Sequence, residues 1–244
     1  MTGDMQIRQG KNGINDKDQI YAMSQVKIVD LKESILQNND QDAEKLRQEL
    51  KDRKICLVNV MSSPGSGKTT TLLALNRCIK NRIRFGVMEA DIDSDVDAVK
   101  LEEAGVPSIQ LHTGGMCHLD AEMTRQGIRA FDRDDLDLVV LENVGNLVCP
   151  AEFDTGAAMN LTILSVPEGA DKPAKYPLMY QVSDLLVINK IDTLPVFDFD
   201  KEELESTVRA LNPDIQIFYI SAKTGQGVQE LADELVEYVK DWNR

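Results

Sequence analysis

The fold is decided by one stretch of the sequence, Ser62-Ser63-Pro64-Gly65-Ser66-Gly67-Lys68-Thr69-Thr70. This stretch follows the apolar run Ile55–Met61, and a segment with helical periodicity begins at Lys68. A glycine-rich loop between a strand and a helix lets backbone N–H groups curl around phosphate oxygens, and the helix N-terminus adds partial positive charge. The stretch therefore predicts a phosphate-binding loop of the Walker A type, with Ser62 in place of the first glycine of that pattern.

The polar residues of this loop have expected roles. Lys68 is placed to reach the β- and γ-phosphates of a nucleotide and to act in catalysis, and the Thr69 hydroxyl is placed to bind Mg²⁺. The loop residues expected to bind the nucleotide are Gly65, Ser66, Gly67, Lys68, Thr69 and Thr70.

Short apolar runs alternate with helical segments along the rest of the chain. Such runs, joined through helices, indicate a mostly parallel sheet covered by helices on both faces. The helical segments include Lys68–Lys80, Leu119–Ala130 and Val228–Trp242. The predicted strands are Ile55–Met61, Ile83–Met88, Ser108–Leu111, Leu136–Leu141, Leu161–Val166, Leu185–Ile188 and Ile215–Ile220. The sequence thus predicts an α/β P-loop NTPase with three layers.

Two further motifs indicate that the nucleotide base is guanine. Asn189-Lys190-Ile191-Asp192 follows a predicted strand, and in this arrangement the Asp192 carboxylate can accept the ring N–H and the exocyclic amine of guanine. Adenine lacks this pair of donors, so it would be rejected. The Lys190 stem can lie along the base, and Ser221-Ala222-Lys223 follows the last strand, where a backbone amide can bind the guanine oxygen.

The chain is expected to be one GTPase domain with an N-terminal extension. Residues 1–25 are polar and lack periodicity, which is typical of a mobile tail. Residues 26–53 are predicted to form a helical leader, because Ala43, Leu46 and Leu50 recur at helical spacing. Residues 54–244 are predicted to form the GTPase domain.

Carboxylates follow two of the predicted strands and are candidates for Mg²⁺ binding and for orienting water. Glu142 and Gly145 form a Glu-x-x-Gly pattern where small GTPases have Asp-x-x-Gly, and Gly145 is expected near the γ-phosphate. The acidic stretch Glu89–Asp95 ends the strand that begins at Ile83, and within it we favour Asp91 for both roles, since it lies nearest the strand end. Helix capping is the favoured interpretation of the other acidic residues there, Asp93, Asp95 and Asp97.

A second group of residues has the chemistry of a transition-metal site. Cys117 and His118 are adjacent on a glycine-rich loop, and Cys149 follows Gly145 on the loop expected to sense the γ-phosphate. Thiolate and imidazole are ligands that Zn²⁺ and Ni²⁺ accept, but the residues alone leave open whether they bind metal. The other cysteines, Cys56 and Cys78, fall within a predicted strand and helix and are expected to be core thiols.

Composition excludes several classes of protein. With 27 Lys and Arg against 41 Asp and Glu, the net charge is −14, which disfavours nucleic-acid binding. No run approaches the ~20 apolar residues of a membrane span, and no export signal is visible. Four scattered cysteines do not suggest a disulfide framework. We therefore expect a cytoplasmic protein with no membrane association.

Several of these motifs together resemble the HypB family, the GTPases that assist nickel insertion into nickel–iron hydrogenase. The resemblance is carried by the phosphate loop and by the segments Glu89–Asp91, Gly114–Ala121, Glu142–Pro150 and Lys172–Pro177. It implies a GTP-hydrolysing metallochaperone of the signal-recognition and MinD-like class that forms a nucleotide-dependent homodimer. It also implies that Cys117, His118 and Cys149 form a Ni²⁺ or Zn²⁺ site at the subunit interface.

The resemblance implies partners and one departure. The expected partners are other hydrogenase-maturation proteins, a nickel-carrying protein and the precursor of the hydrogenase large subunit. Some family members have an N-terminal nickel site rich in Cys or His, whereas neither residue type occurs here before Cys56. We expect slow GTP turnover, because no arginine finger or catalytic glutamine is identifiable in the sequence.

Other functions remain open at this point. The related GTPase of urease assembly has a Cys-Pro-His sequence in its metal loop, whereas Cys117 and His118 are adjacent here. The GTPase chaperone of methylmalonyl-CoA mutase shares the phosphate loop but does not account for the Cys-His pair. A nickel-sequestering protein is a third alternative, and the ligand-poor N-terminus argues against it.

Overall fold

A parallel sheet of seven strands forms the centre of the computed structural model, which describes residues 31–91 and 96–244. The strands are β1 (Cys56–Ser62), β2 (Phe85–Asp91), β3 (Ser108–His112), β4 (Leu138–Glu142), β5 (Met159–Ser165), β6 (Leu185–Asn189) and β7 (Gln216–Tyr219). Their order is β3-β2-β4-β1-β5-β6-β7. Each predicted apolar run overlaps one strand, so the predicted sheet is confirmed.

Helices connect these strands. The described helices are α1 (Leu31–Asp52), α2 (Lys68–Ile79), α3 (Val96–Glu103), α4 (Ala121–Phe131), α5 (Cys149–Glu152), α6 (Lys172–Lys175), α7 (Pro177–Gln181), α8 (Lys201–Leu211) and α9 (Val228–Trp242). Parallel strands require such crossovers, because consecutive strands must start from the same edge of the sheet.

The core lies on both faces of the sheet. Successive side chains of β1 point to opposite faces, so they belong to two different clusters. Cys56, Val58 and Val60 pack with α2 and α9 on one face. Leu57 lies on the other face, in a cluster that includes residues of α1 and α4. Further along the sheet, residues of α8 pack against β5 and β6. The three-layer α/β architecture is therefore confirmed.

β1 is the central strand, and its register sets the geometry of the edge where the strands end. Val60 lies opposite Glu142 of β4 and opposite Leu161 of β5. On the next pair, Glu89 of β2 lies opposite Glu142. The carboxyl ends of β1, β2 and β4 therefore meet, and ligands of open parallel sheets bind at such edges.

The N-terminal helix α1 packs on the sheet with one apolar face. Its side chains Ala43, Leu46 and Leu50 are buried, as the helical spacing predicts. Residues 35–244 form one unit, whereas the predicted tail, residues 1–25, lies outside the described residues. The division into leader and GTPase domain stays a prediction. In the part of the chain that is described, no helix is both long and apolar enough to span a membrane.

Leu46→Ala tests how much α1 contributes to the domain. Leu46 is 1% exposed, so its truncation should lower the free energy of unfolding by about 2 to 5 kcal/mol. Urea unfolding measures this change. Lys45→Ala is the control on the same helix, because the Lys45 side chain is 66% exposed, and it should change stability by less than about 0.5 kcal/mol. Equal effects of the two substitutions would show that α1 is not part of the folded core.

Candidate nucleotide and metal sites

The phosphate loop connects the end of β1 to the start of α2. Ser62 is fully buried, and its hydroxyl accepts hydrogen bonds from Ser66 Oγ at 2.7 Å and from Lys68 Nζ at 3.2 Å. The serine in the first-glycine position therefore takes part in the internal bonding of the loop. Lys68 is the first residue of α2, as predicted.

Gly67 has a geometric reason to be glycine. Its φ is +100°, in the region that L side chains rarely adopt, and an added Cβ would lie 2.6 Å from Asn189 Nδ2. The close approach allows the Asn189 amide to donate to the Ser66 carbonyl at 3.0 Å. A side chain at position 67 would force the two loops apart.

Two adjoining cavities follow the loop and together have the extent of a nucleotide site. The first, of about 330 Å³, is lined by Gly65, Gly67, Lys68, Thr69, Thr70, Leu73, Asp97, Lys100, Glu142 and Lys190. The second, of about 220 Å³, is lined by Gly67, Thr70, Asn189, Lys190, Asp192, Thr193, Ala222 and Lys223. The first contains the predicted phosphate-binding groups and the second contains the predicted base-binding groups.

Asn189 joins the loops that surround the second cavity. Besides its bond to the phosphate loop, its Oδ1 accepts from the backbone N–H of Lys190 at 2.7 Å and of Ala222 at 3.1 Å. The Asn189 side chain is thus bonded within the protein, and it holds these loops together. Lys190 adds a second tie, because its Nζ donates to the Gly65 carbonyl at 2.6 Å.

Asp192 and Ser221 lie together at the predicted base site. The Ser221 hydroxyl donates to Asp192 Oδ1 at 2.6 Å and also accepts from the Thr224 backbone N–H at 3.2 Å. These bonds fix the direction of the carboxylate. The two motifs that the sequence places 29 residues apart, Asn189–Asp192 and Ser221–Lys223, therefore form one side of a single cavity.

Three carboxylates gather beside the phosphate loop. Oxygen atoms of Glu89, Asp97 and Glu142 all lie within 4.8 Å of one another. The Thr69 hydroxyl donates to Glu142 Oε1 at 3.0 Å, and Glu89 Oε2 is buried with no hydrogen-bond partner. Oxygen ligands of this kind suit Mg²⁺, and a cation there would satisfy the unpaired oxygen.

The structure groups the acidic residues differently from the sequence prediction. Asp91 ends β2 and is half-buried, but it is not one of the three carboxylates that gather. Asp97, which the sequence assigned to helix capping, lies in the first turn of α3 and also joins the cluster. The other two acids, Asp93 and Asp95, lie outside the described residues. Only packing of α3 against the strand ends could reveal the position of Asp97.

The predicted transition-metal ligands also come together. Cys117 Sγ lies 2.8 Å from Cys149 Sγ and 3.9 Å from His118 Nδ1. The His118 ring stacks on Phe153, with ring centroids 3.8 Å apart, and Asn146 Nδ2 lies 3.6 Å from Cys149 Sγ. Two thiols and an imidazole from separate loops thus form a common group.

The loop that carries Cys149 begins beside the phosphate loop. An added Cβ at Gly145 would lie 3.0 Å from the backbone nitrogen of Pro64, so the two loops are in direct contact at this glycine. Cys56 is fully buried in β1, and Cys78 packs against the core from α2, as their positions predict. His112 is exposed at the end of β3.

Comparison with known proteins identifies the family. The family model described as CobW/HypB/UreG, nucleotide-binding domain, matches residues 56–219. The hydrogenase maturation factor HypB of Azotobacter chroococcum is 42% identical over 209 residues, which cover 86% of this chain and 68% of that protein. The factor of the same name from Escherichia coli is 39% identical over 228 residues, covering 93% and 77%. The chain belongs to the HypB family.

Solved structures agree with this assignment. A crystal structure of HypB from Helicobacter pylori in complex with nickel has a TM-score of 0.79 and 36% identity, covering 84% of this chain and 96% of that one. HypB from Archaeoglobus fulgidus has a TM-score of 0.77 and 35% identity, covering 84% and 100%. The signal recognition particle receptor FtsY of Elizabethkingia anophelis, at 15% identity and a TM-score of 0.51, shares the fold alone.

The electrostatics of the acidic group follow from its burial. Burial raises the pKa of Glu142 to about 7, and the nearby Lys68 ammonium opposes that rise. Burial, and then the charge of Glu142, raise the pKa of Glu89 to about 7. Near neutral pH this group of the HypB-family chain therefore takes up or releases protons readily.

The pKa values of the Cys149 thiol and the His118 imidazole both shift in the direction that favours the neutral form. The hydrogen bond with Cys117, followed by desolvation, raises the pKa of Cys149. Burial lowers the pKa of His118, so its imidazole stays neutral to lower pH and keeps a nitrogen available for a metal. A metal that binds the thiols must displace their protons, which makes binding favourable at higher pH.

Glu89→Gln tests the burial of the acidic cluster. Because the folded-state pKa is raised from 4.5 to about 7, ionisation of Glu89 destabilises the fold as the pH rises through that interval. Glutamine is neutral throughout, so the variant should gain more stability over wild type at pH 8 than at pH 5. Urea unfolding in EDTA at both pH values measures the difference. Glu237→Gln, at an exposed position, is the control, and a pH-independent effect of Glu89→Gln would contradict the assignment.

Proposed function

We propose that this chain is a GTP-hydrolysing nickel metallochaperone that assists nickel insertion into nickel–iron hydrogenase. The observation that carries the proposal is the direct contact between the loop of Cys149 and the phosphate loop at Gly145 and Pro64. It places Cys149, whose Sγ lies 2.8 Å from Cys117 Sγ, on a segment that can respond to the nucleotide. The H. pylori relative was solved with nickel, which supports nickel as the cargo.

Guanine recognition rests on Asp192. With Ser221 fixing one oxygen, the carboxylate is directed into the cavity that Lys190 and Ala222 also line. A carboxylate there accepts both donors on one edge of guanine, and the backbone N–H groups beside Ala222 are suited to the guanine oxygen. Adenine would leave the buried acceptor unpaired.

The hydrolysis of GTP to GDP and phosphate rests on the first cavity. Lys68 lines this cavity and neutralises charge on the phosphates, and the backbone N–H groups of residues 65–70 bind their oxygens. We propose that Glu142 and Asp91 orient the attacking water. Thr69 and the surrounding carboxylates would hold Mg²⁺, which when bound offsets the negative charge of the phosphates. We propose slow intrinsic turnover, since the sequence offers no identifiable arginine finger.

Asp192→Asn tests the base assignment. The amide can accept only one of the two guanine donors, so GTP affinity should fall by about a hundredfold or more. Xanthine has a carbonyl where guanine has its amine, and the new N–H group can donate to it. Titration with fluorescent GTP and XTP should therefore show lost GTP binding and gained XTP binding. Asp198→Asn, on the following loop, is the control, and unchanged GTP affinity in Asp192→Asn would refute guanine recognition.

The cargo site would bind Ni²⁺ or Zn²⁺ through Cys117, His118 and Cys149. Two thiolates and an imidazole are ligands that both metals accept. Three ligands from one chain leave the coordination of the metal incomplete. A nucleotide-dependent homodimer would bring two such groups together and complete the coordination. Movement of the Cys149 loop with the γ-phosphate would then couple hydrolysis to metal transfer.

The proposed partners follow from the relatives. Proteins named hydrogenase maturation factor support the precursor of the hydrogenase large subunit as the client, with other maturation proteins and a nickel-carrying protein as partners. A second candidate is urease assembly, because the H. pylori relative, 39% identical over 219 residues, is named hydrogenase/urease maturation factor. The two clients share one chemistry, the receipt of nickel.

Metal titration in two nucleotide states tests the coupling. Wild-type protein should bind Ni²⁺ with different affinity in GDP and in a non-hydrolysable GTP analogue. Cys117→Ala, His118→Ala and Cys149→Ala should each weaken Ni²⁺ binding by about tenfold or more, while GTP hydrolysis by the monomer largely persists. Cys78→Ala is the matched control, because that thiol packs against the core. Identical Ni²⁺ affinity and oligomeric state with both nucleotides would contradict the gating mechanism.

A further inference from the structure

Asn39 lies on α1, outside the nucleotide cavities, yet its side chain contacts both segments that follow the candidate metal ligands. Its Nδ2 donates to the Asp154 carbonyl at 2.9 Å, and its Oδ1 accepts from the Ala121 backbone N–H at 2.9 Å. The side chain is buried, with 9% exposure. One amide thus bonds to two chain segments that are distant in sequence.

Each of these bonds fixes backbone within five residues of a ligand, at Ala121 after His118 and at Asp154 after Cys149. Ala121 begins α4, and the loop before it carries Cys117 and His118. Asp154 follows α5, whose first residue is Cys149. The Asn39 amide therefore joins the same two segments whose thiols lie 2.8 Å apart.

The position of Asn39 is itself held firmly. On the same helix, Arg47 Nη2 bonds to both carboxylate oxygens of Asp154, at 2.8 Å and 2.7 Å, and its Nε donates to the Ala157 carbonyl at 2.9 Å. Ala43 and Leu46 are buried against the body of the domain. A planar guanidinium bound at two oxygens leaves little rotational freedom. α1 thus presents Asn39 from a fixed base.

We propose that Asn39 is a positioning residue for the metal site, which holds the Cys117–His118 loop and the Cys149 loop at the separation that joint coordination requires. This inference rests on the proposed metal-binding function. The stacking of His118 on Phe153 is a direct contact between the loops through a ligand side chain. The bonds of Asn39 go to backbone atoms and can persist while the ligands turn toward the metal. Ligand positions within a fraction of an ångström decide metal affinity, so such support matters.

Two substitutions distinguish the two hydrogen bonds of the Asn39 side chain. Asn39→Asp keeps the shape and the acceptor for Ala121, but it removes the donor to Asp154 and sets a carboxylate oxygen against that carbonyl. Asn39→Leu removes both bonds at similar volume. Asn76→Leu is the matched control, because Asn76 is also buried, bonds to a single carbonyl at 3.3 Å, and lies on α2 on the opposite face of the sheet.

The experiment is a titration of the full chain with Ni²⁺. Binding is monitored by the ultraviolet charge-transfer absorption of nickel bound to thiolate. Affinity for a fluorescent GTP analogue and the thermal midpoint are measured on the same samples. Both Asn39 variants should lower Ni²⁺ affinity by about tenfold, the lower end of the effect of residues that support metal ligands, and should reduce the absorption per bound metal. GTP affinity should stay within about twofold of wild type. Asn76→Leu should lower the thermal midpoint and leave the nickel spectrum unchanged.

Cys117→Ala separates this proposal from the one on which it rests. If Cys117→Ala leaves Ni²⁺ binding and its spectrum unchanged, the metal site itself is wrong. If Cys117→Ala weakens binding while Asn39→Asp, still folded by its thermal midpoint, keeps wild-type affinity and spectrum, the positioning role is wrong. If Asn76→Leu alters the nickel spectrum as much as Asn39→Leu does, the effect is general destabilisation and the proposal is overturned.

Discussion

Parallel pairing of β1 with β4 on one side and β5 on the other is the constraint on which the rest of this structure depends. Because all three strands run in the same direction, the phosphate loop after β1 leaves the sheet at the same edge as the segment after β4. The contact of Gly145 with Pro64 and the bond of Thr69 to Glu142 follow from that arrangement. The phosphate loop, Glu142 and the loop of Cys149 are therefore neighbours, because β1 and β4 run in the same direction.

The same edge of the sheet contains buried carboxyl groups, and Lys68 compensates their negative charge only in part. Glu89 and Glu142 are opposite one another across β2 and β4, and both are buried. Burying carboxylates costs free energy unless a cation or a proton compensates, which is why their pKa values rise to about 7. Lys68 supplies part of the compensation, and a divalent cation bound to these carboxylates would supply more.

Two kinds of link connect the parts of the molecule that would act together. Contact between residues 64 and 145 joins the phosphate loop to the Cys149 loop, and under the proposed function it would let a bound nucleotide move that loop. Side-chain amides provide the fixed links, with Asn189 joining the phosphate loop to the guanine loop and Asn39 joining the two ligand loops. An amide suits this task, because it donates and accepts at once and so satisfies two buried backbone groups.

Local spacing and neighbouring residues were enough to predict the strands, the phosphate loop and the family, and they are the basis on which the guanine motif is proposed. It also indicated Cys117, His118 and Cys149 as a group, although their roles stay predictions. The packing of the whole sheet was needed to place Asp97 beside Glu89 and Glu142, and to let Asn39 bond to two distant segments. These contacts join residues that no local pattern connects, since they arise where helices pack on strand ends. Their geometry is set by the packing of the whole sheet.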